Sequence, residues 1–328
     1  MPFAAITSVA SWLPERRLTN ADLEKLVDTT DEWIVSRTGI RERRIADSGD
    51  ATSDLAARAG TLALQRAGVA AADVDLLILA TSTPDMVIPS AACITQAKMG
   101  LTCPAFDLNA VCTGFIYALE VATSFIESGR ARTVLVIGAD VLSSVVDYTD
   151  RATCILFGDG AGAVLLTASE TPGVLGVHLG ADGNGADLLY VPAGGSASPA
   201  NPEQLVAGGH HIKMNGNEVF KFAVRAIPQV TLEALEESQL TLADVDWLVP
   251  HQANQRITDT VAQRLGIPAE KVVCSIENTG NTSAASIPIA LDSLFSGGHL
   301  RPGHILALVG FGAGLTYGAA IVRWTRKD

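Results

Sequence analysis

The sequence predicts a duplicated α/β protein whose two halves, residues 1–172 and 173–328, pack face to face as five layers in the order αβαβα. Two observations predict it. The tetrapeptide Ala72-Asp73-Val74-Asp75, leading into the apolar run Leu76 to Ala80, returns 171 residues later as Ala243-Asp244-Val245-Asp246 before Trp247-Leu248-Val249. The order of elements repeats too: Val134 to Ala139 recurs as Ile305 to Gly310, and Phe157 to Leu166 is echoed by Gly314 to Val322. A repeated order of this kind marks a repeated structural unit. Uninterrupted apolar strands imply sheets covered by helices on both faces.

With 328 residues, 48% of them hydrophobic, the chain can bury a sizeable core. Thr19 or Asn20 is a candidate cap for a helical segment that runs through Asp31 to Ile40 and ends near Gly39. Helix-like stretches at Asp54 to Ala67 and Ala226 to Ser238 precede the two tetrapeptides. Cys112 to Ser128 and Asn281 to Phe295, rich in small and apolar residues, suit the central layer. Gly180 to Gly209, rich in Gly, Pro, Ala and Ser, reads as loop.

Composition excludes several classes. The net charge of −12 and an aromatic content of 5% argue against nucleic acid and against an anionic membrane as partners. The N-terminus, Met1 to Ala5, lacks a basic region, and runs such as Val74 to Ala80 are too short to span a bilayer. Five cysteines at 93, 103, 112, 154 and 274 form no C-x-x-C pair, so neither a disulfide framework nor a zinc site is expected. A soluble, cytoplasmic protein without a metal follows.

Three residues could do chemistry. Cys112 lies between an apolar strand end and the helix-compatible run Phe115 to Glu127, where the positive end of the helix dipole would lower its pKa and make it a nucleophile for acyl transfer. The other four cysteines read as packing residues among apolar neighbours. His251 follows the second tetrapeptide's strand, and ligands collect beyond the carboxyl ends of such strands. Asn281 opens the helix paired by repeat with that of Cys112, and reads as a helix cap or a site residue. The duplicated fold would bring all three together where the halves meet. The glycine loop Gly310 to Gly314 could add backbone N–H donors for an oxyanion.

The runs Asp31 to Ile40, Val111-Cys112-Thr113-Gly114-Phe115, Gly158 to Gly162, His251-Gln252-Ala253-Asn254 and Gly280 to Ser286 resemble the 3-oxoacyl-[acyl-carrier-protein] synthase III family over nearly the whole chain. The resemblance implies the thiolase fold, a homodimer, and an acyltransferase that needs no cofactor. Its reaction would transfer an acyl group from acyl-CoA to Cys112, then condense it with malonyl-acyl carrier protein with loss of carbon dioxide, starting fatty-acid synthesis. His251 and Asn281 match the pair that stabilises the enolate, and Cys112 with Gly312, Ala313 and Gly314 the oxyanion site, gated by Phe311. Trp33 and Arg151 match positions flanking the CoA adenine, with Arg37, Asn254 and Gly216 or Asn217 along the rest of the arm. Ile88 stands where some members carry a Phe that the partner subunit lends to the acyl pocket. Arg256, Lys221 and Arg264 match a carrier-protein patch. A starter synthase of secondary metabolism, a long-chain condensing enzyme, or a non-catalytic acyl-thioester binder would share much of this pattern.

Overall fold

Two mixed sheets, each built on the expected apolar runs, organise the computed structural model, which describes residues 1–326. The first contains β1 (Phe3–Trp12), β2 (Leu76–Ala80), β3 (Ala105–Leu108), β4 (Thr133–Asp140) and β5 (Gly160–Ser169), in the spatial order β1-β5-β4-β2-β3. The second contains β6 (Val174–Ala181), β7 (Trp247–Pro250), β8 (Ile305–Gly312) and β9 (Thr316–Arg323), in the order β7-β8-β9-β6. β2 runs parallel to β4 as β7 does to β8, and the antiparallel pair β4 and β5 corresponds to β8 and β9. The counterpart of β3 is reduced to a single parallel bridge between Leu248 and Val272.

Helix α1 (Asp31–Thr38) belongs to a cap outside the repeat. Helices α2 (Thr52–Ala67) and α3 (Ala91–Met99) cover the outer face of the first sheet. Between the sheets lies α4 (Gly114–Glu127), while α5 (Gly216–Glu237) and α6 (Gln255–Leu265) cover the outer face of the second. Helix α7 (Ser286–Ser296) joins α4 in the middle layer. The five layers are those expected. Phe115, Ile116, Leu119, Ile287 and Leu291 are fully buried there against Val136 and Leu308, each side chain contributing roughly 1.5–3 kcal/mol on burial.

Several local expectations change. The equivalent of Val134 is Leu306, because Leu76 pairs with Val134 and Trp247 with Leu306, so the repeat spacing grows by one residue between the two strands of each half. The early segment forms two helices, Asn20–Leu23 and α1, separated by residues 24–30; Gly39 closes α1 with φ 79°, a conformation that favours glycine. Helix α5 begins at Gly216, ten residues before the periodic stretch at Ala226, because Asn215 caps it and Val219, Phe222 and Ala223 extend its apolar face. The segment 180–209 is not all loop: Leu189–Tyr190 pairs with Lys213–Met214, and Asn201 caps a short helix, Pro202–Val206.

Candidate active site

Cys112 lies in the tight turn Val111–Thr113, and α4 begins two residues later at Gly114. Its expected acidification does not occur. The residue is 4% exposed, and burial pushes the thiol up to about 12, with the charge of Asp140 acting in the same direction and the Ser283 hydroxyl opposing it. Desolvation of a thiolate outweighs the helix dipole here.

Asn281 does not open α7 directly, since the turn Ser283–Ala285 intervenes. Its backbone is clamped on both sides: its N–H donates to Leu156 O (2.9 Å), and its carbonyl accepts from Gly158 N (2.9 Å). Its side-chain Oδ1 accepts from Ser283 N at 2.9 Å. Asn281 is thus not a helix cap, since Thr282 and Ala285 hold the cap positions of the turn and of α7; its local bond uses the amide oxygen and leaves the Nδ2 hydrogens as the free end.

His251 follows β7 and is tied by its N–H to Val309 O at 2.7 Å. Nδ1 lies 2.6 Å from Ser286 Oγ, which accepts from Gln252 N at 3.3 Å. Burial, with no charged partner, lowers the imidazole pKa to about 3, so the ring is neutral. Phe311 packs edge-to-face on it, 5.6 Å between centroids. Gln252 braces this corner: its amide donates to Pro250 O (2.8 Å) and Val273 O (3.2 Å) and accepts from Ser275 N (2.8 Å).

Two cavities meet at Cys112. One, of about 180 Å³, is mainly apolar, walled by Leu142, Val145, Phe157, Tyr190, Val191 and Ile212. Ala313 and Ser283 border it near the sulfur. The other, of about 110 Å³, brings Cys112, His251, Asn281, Phe311 and Gly312 together and extends past Gly216 and Asn254. A methyl group on Gly312 would fall 2.9 Å from Cys112 N and 3.2 Å from Thr113 N, so the missing side chain leaves a cradle against these amides. Gly314, at φ 129°, closes the adjoining turn.

Trp33 and Arg151 lie together, the guanidinium 4.9 Å from the indole centroid, with Arg37 5.7 Å from the same ring. Asp150 caps the helix that Arg151 begins, and Arg151 Nη1 donates to Asp28 O at 2.8 Å. Asn254 caps α6 and donates to Arg37 O at 3.1 Å, linking α1 to the second cavity. Asn217 is exposed in the first turn of α5. Arg256 lies 5.8 Å over Phe220, exposed Lys221 pairs with Glu218 at 2.7 Å, and Arg264 donates to Val224 O at 2.7 Å. Ile88 stands apart, 83% exposed beside exposed Met86 and Val87. Of the four cysteines expected to pack, Cys103 and Cys154 do; Cys93 and Cys274 are exposed, one in the first turn of α3 and the other on a surface segment beside Gln255.

Sequence reasoning missed Ser286, Gln252, Asp140 and Ser283. Ser286 and Gln252 stand inside the runs that carry the family resemblance, but their work is visible only once partners are in place. Asp140, fully buried at the end of β4, follows an apolar run, where an acidic residue ordinarily signals the return to solvent.

This fold and site define the class, condensing enzymes of the thiolase fold. The family model for the 3-Oxoacyl-[acyl-carrier-protein (ACP)] synthase III matches residues 106–183, and that for its C terminal part residues 235–324. The beta-ketoacyl-[acyl-carrier-protein] synthase III of Thioalkalivibrio sulfidiphilus is 51% identical over 325 residues, covering 99% of this chain and 100% of that one. The 3-oxoacyl-[acyl-carrier-protein] synthase III structure from Aquifex aeolicus is 45% identical with a TM-score of 0.90, covering 98% and 99% of the two chains. That from Pseudomonas aeruginosa is 42% identical with a TM-score of 0.92, covering 99% of each. The chain belongs to the beta-ketoacyl-(acyl carrier protein) synthase III family, a family of acyltransferases. Among the described residues no helix is long and apolar enough to cross a membrane, and no cluster of three or more His, Cys, Asp or Glu side chains could hold a metal ion.

Proposed function

We propose that the chain starts type II fatty-acid synthesis by joining an acyl-CoA primer to malonyl-acyl carrier protein through an acyl-Cys112 intermediate. The observation that carries this reading is the meeting of Cys112, His251 and Asn281 where an apolar cavity joins a second one that holds the imidazole and the amide. In the first step the Cys112 sulfur attacks the primer's thioester carbonyl, CoA leaves, and the thiol proton ends on the CoA sulfur. The tetrahedral oxyanion sits in the cradle at Gly312, facing Cys112 N, with the Ala313 to Gly314 turn beside it. The primer's carbon chain occupies the apolar cavity.

In the second step the malonyl carboxylate leaves as carbon dioxide and its bonding pair forms a thioester enolate. Ser286 Oγ, having accepted from Gln252 N, donates to His251 Nδ1, which leaves the proton of a neutral ring on Nε2. Nε2–H and the Asn281 Nδ2–H then donate to the enolate oxygen, each worth about 3 kcal/mol in the transition state. The enolate carbon attacks the acyl carbonyl, Cys112 leaves as thiolate and is reprotonated, and 3-oxoacyl-carrier protein departs.

Trp33, Arg37, Arg151, Gly216, Asn217 and Asn254 hold the nucleotide and pantetheine arm; Arg256, Lys221 and Arg264 meet the acidic carrier protein. No resident cofactor takes part. Residues 1–172 carry the nucleophile and residues 173–328 the enolate pair. The exposed run Met86-Val87-Ile88 supports a homodimer in which Ile88 reaches the partner's acyl pocket. The setting is cytoplasmic. The test is a mass spectrum after incubation with mixed acyl-CoAs: one acyl group on the Cys112 peptide, discharged by malonyl-carrier protein as a 3-oxoacyl product, is expected. Full turnover by Cys112→Ala would overturn the assignment.

A further inference from the structure

The two halves present the same turn to different groups. Asp140 pairs with Gly160 and Gly312 with Thr316, so Asp140 and Gly312 are the last residues of equivalent strands β4 and β8. Val111 and Ser283, both at φ 49°, open the equivalent turns Val111–Thr113 and Ser283–Ala285. Cys112 therefore corresponds to Ala284. Against Cys112 N lies the empty cradle of Gly312; against Ala284 N lies a carboxylate, Asp140 Oδ2, at 3.3 Å. Asp140 Oδ1 also accepts from Ser82 N (2.8 Å), Thr83 N (3.1 Å) and the hydroxyls of Thr81, Ser82 and Thr83. Burial raises the Asp140 pKa and the hydrogen bonds from Ser82, Thr83 and Ser283 oppose it; with both oxygens accepting backbone N–H groups, the geometry is that of an ionised acceptor.

The turn that Asp140 grips carries two groups of the site. Ser283 N holds Asn281 Oδ1. The Ser283 hydroxyl, on a residue 1% exposed, borders the cavity beside Cys112, close enough to the sulfur and to the Asp140 carboxylate to favour the charged form of each, without a fully formed hydrogen bond to either. A non-glycine residue with positive φ is costly, and such strain concentrates at functional sites.

We propose that Asp140 is a positioning residue, a built-in anion filling the second half's copy of the oxyanion site, which fixes the Ser283–Ala284 turn and so aims the Asn281 amide and the Ser283 hydroxyl at the reacting thioester. The inference rests on the reaction proposed above. The carboxylate and the hydroxyl also act on the sulfur in opposite directions, Asp140 disfavouring the thiolate and Ser283 favouring it. The other titratable groups near this point are His251, neutral, at the end of β7, and Asp159, beside Asp140 ahead of β5.

Asp140→Asn and Ser283→Ala test it, with three readouts: acylation by acyl-CoA, decarboxylation of malonyl-carrier protein by the acylated enzyme, and the pH profile of Cys112 alkylation by iodoacetamide. Asp140→Asn is expected to slow decarboxylation about 10- to 100-fold and acylation by less than about threefold, the cost of misplacing a group without removing it. Its alkylation profile should move to lower pH and that of Ser283→Ala to higher pH. An equal fall in both partial reactions with an unmoved profile would reduce Asp140 to a structural part, and no change in any readout would remove it altogether. Should Asp140→Asn not fold, an unmoved profile in Ser283→Ala overturns the proposal. Alkylation needs no substrate, so these shifts are read independently of whether wild-type Cys112 takes up an acyl group, the outcome on which the proposed function itself stands.

Discussion

The turn at Cys112 and the turn at Ala284 are copies of one device, yet one faces Gly312 and the other Asp140. Duplication supplies two helix-start turns with N–H groups pointing into the middle of the molecule. Leaving one of them open makes a place for charge that exists only during reaction. The Asp140 carboxylate against the other satisfies Ala284 N and, in the role proposed for it, makes that turn a rigid support. In the proposed reaction, catalytic asymmetry comes from what each strand end puts opposite its turn. Gly312→Asp, which makes the two sides alike, should have the largest effect: a carboxylate beside Cys112 N occupies the cradle, and acyl transfer is expected to fall by at least about 10³-fold, with Gly312→Ala losing roughly 10²–10³-fold. The burst of CoA released on mixing with acyl-CoA measures both. A Gly312→Ala enzyme with a normal burst would show that the oxyanion lies elsewhere.

The second comparison is between the two steps served by these halves. His251→Ala removes a donor from the enolate and leaves Cys112 and its cradle in place, so decarboxylation should drop by about 10²–10³-fold while acyl uptake continues. Separate assays of malonyl decarboxylation and protein-bound acyl group distinguish the two. If both fail together, His251 acts mainly on the cysteine, and the division of labour between the halves is wrong.

Most of the architecture was legible because it rests on local rules that repeat. The apolar runs, the Ala-Asp-Val-Asp entrances and the two small-residue helices give the layers, and position within the repeat brings Cys112, His251 and Asn281 to one place. What was hidden depends on partners distant in the chain. The thiol of Cys112 was expected to be acidified by its helix, a local effect; burial, a property of the whole fold, dominates it. Asp140 lies 144 residues from Ala284, and nothing in its surrounding sequence marks it as an internal anion. Cys274 reads as a packing residue beside Val272 and Val273, but on this irregular segment it is exposed while Val273 is buried.

The neutral pair at the site sets a pH window for stability. An unfolded histidine takes up a proton below about 6.5, whereas the pKa of buried His251 is lowered to about 3. The unfolded state therefore binds more protons in that range, and stability falls as pH drops. For this one group the loss at pH 5 is about 2 kcal/mol. Cys112 acts at the other edge: its pKa is raised from 9.0 to about 12, so the unfolded thiol ionises first and stability falls as pH rises above about 9. Thermal unfolding followed from pH 5 to 8 should show a shallower slope in His251→Asn than in the parent. Equal slopes would mean that the ring is not buried neutral.

The smallest effect is expected farthest from the chemistry, where Arg151 and Trp33 stack on each other at 4.9 Å. In the proposed binding mode an adenine between them exchanges one cation–π contact for two stacking faces, so the net gain is modest, on the order of 1 kcal/mol. Arg151→Ala should therefore raise KM for acyl-CoA about fivefold and change kcat less, since this contact is the same in ground and transition states. Arg151→Lys should recover only part of the loss, because an ammonium keeps the charge and lacks the plane. The decisive control is an acyl-pantetheine primer without the nucleotide. With it, parent and Arg151→Ala should have the same KM; a persistent difference would place Arg151 in support of the loop at Asp28, to whose carbonyl it donates at 2.8 Å, rather than against the adenine.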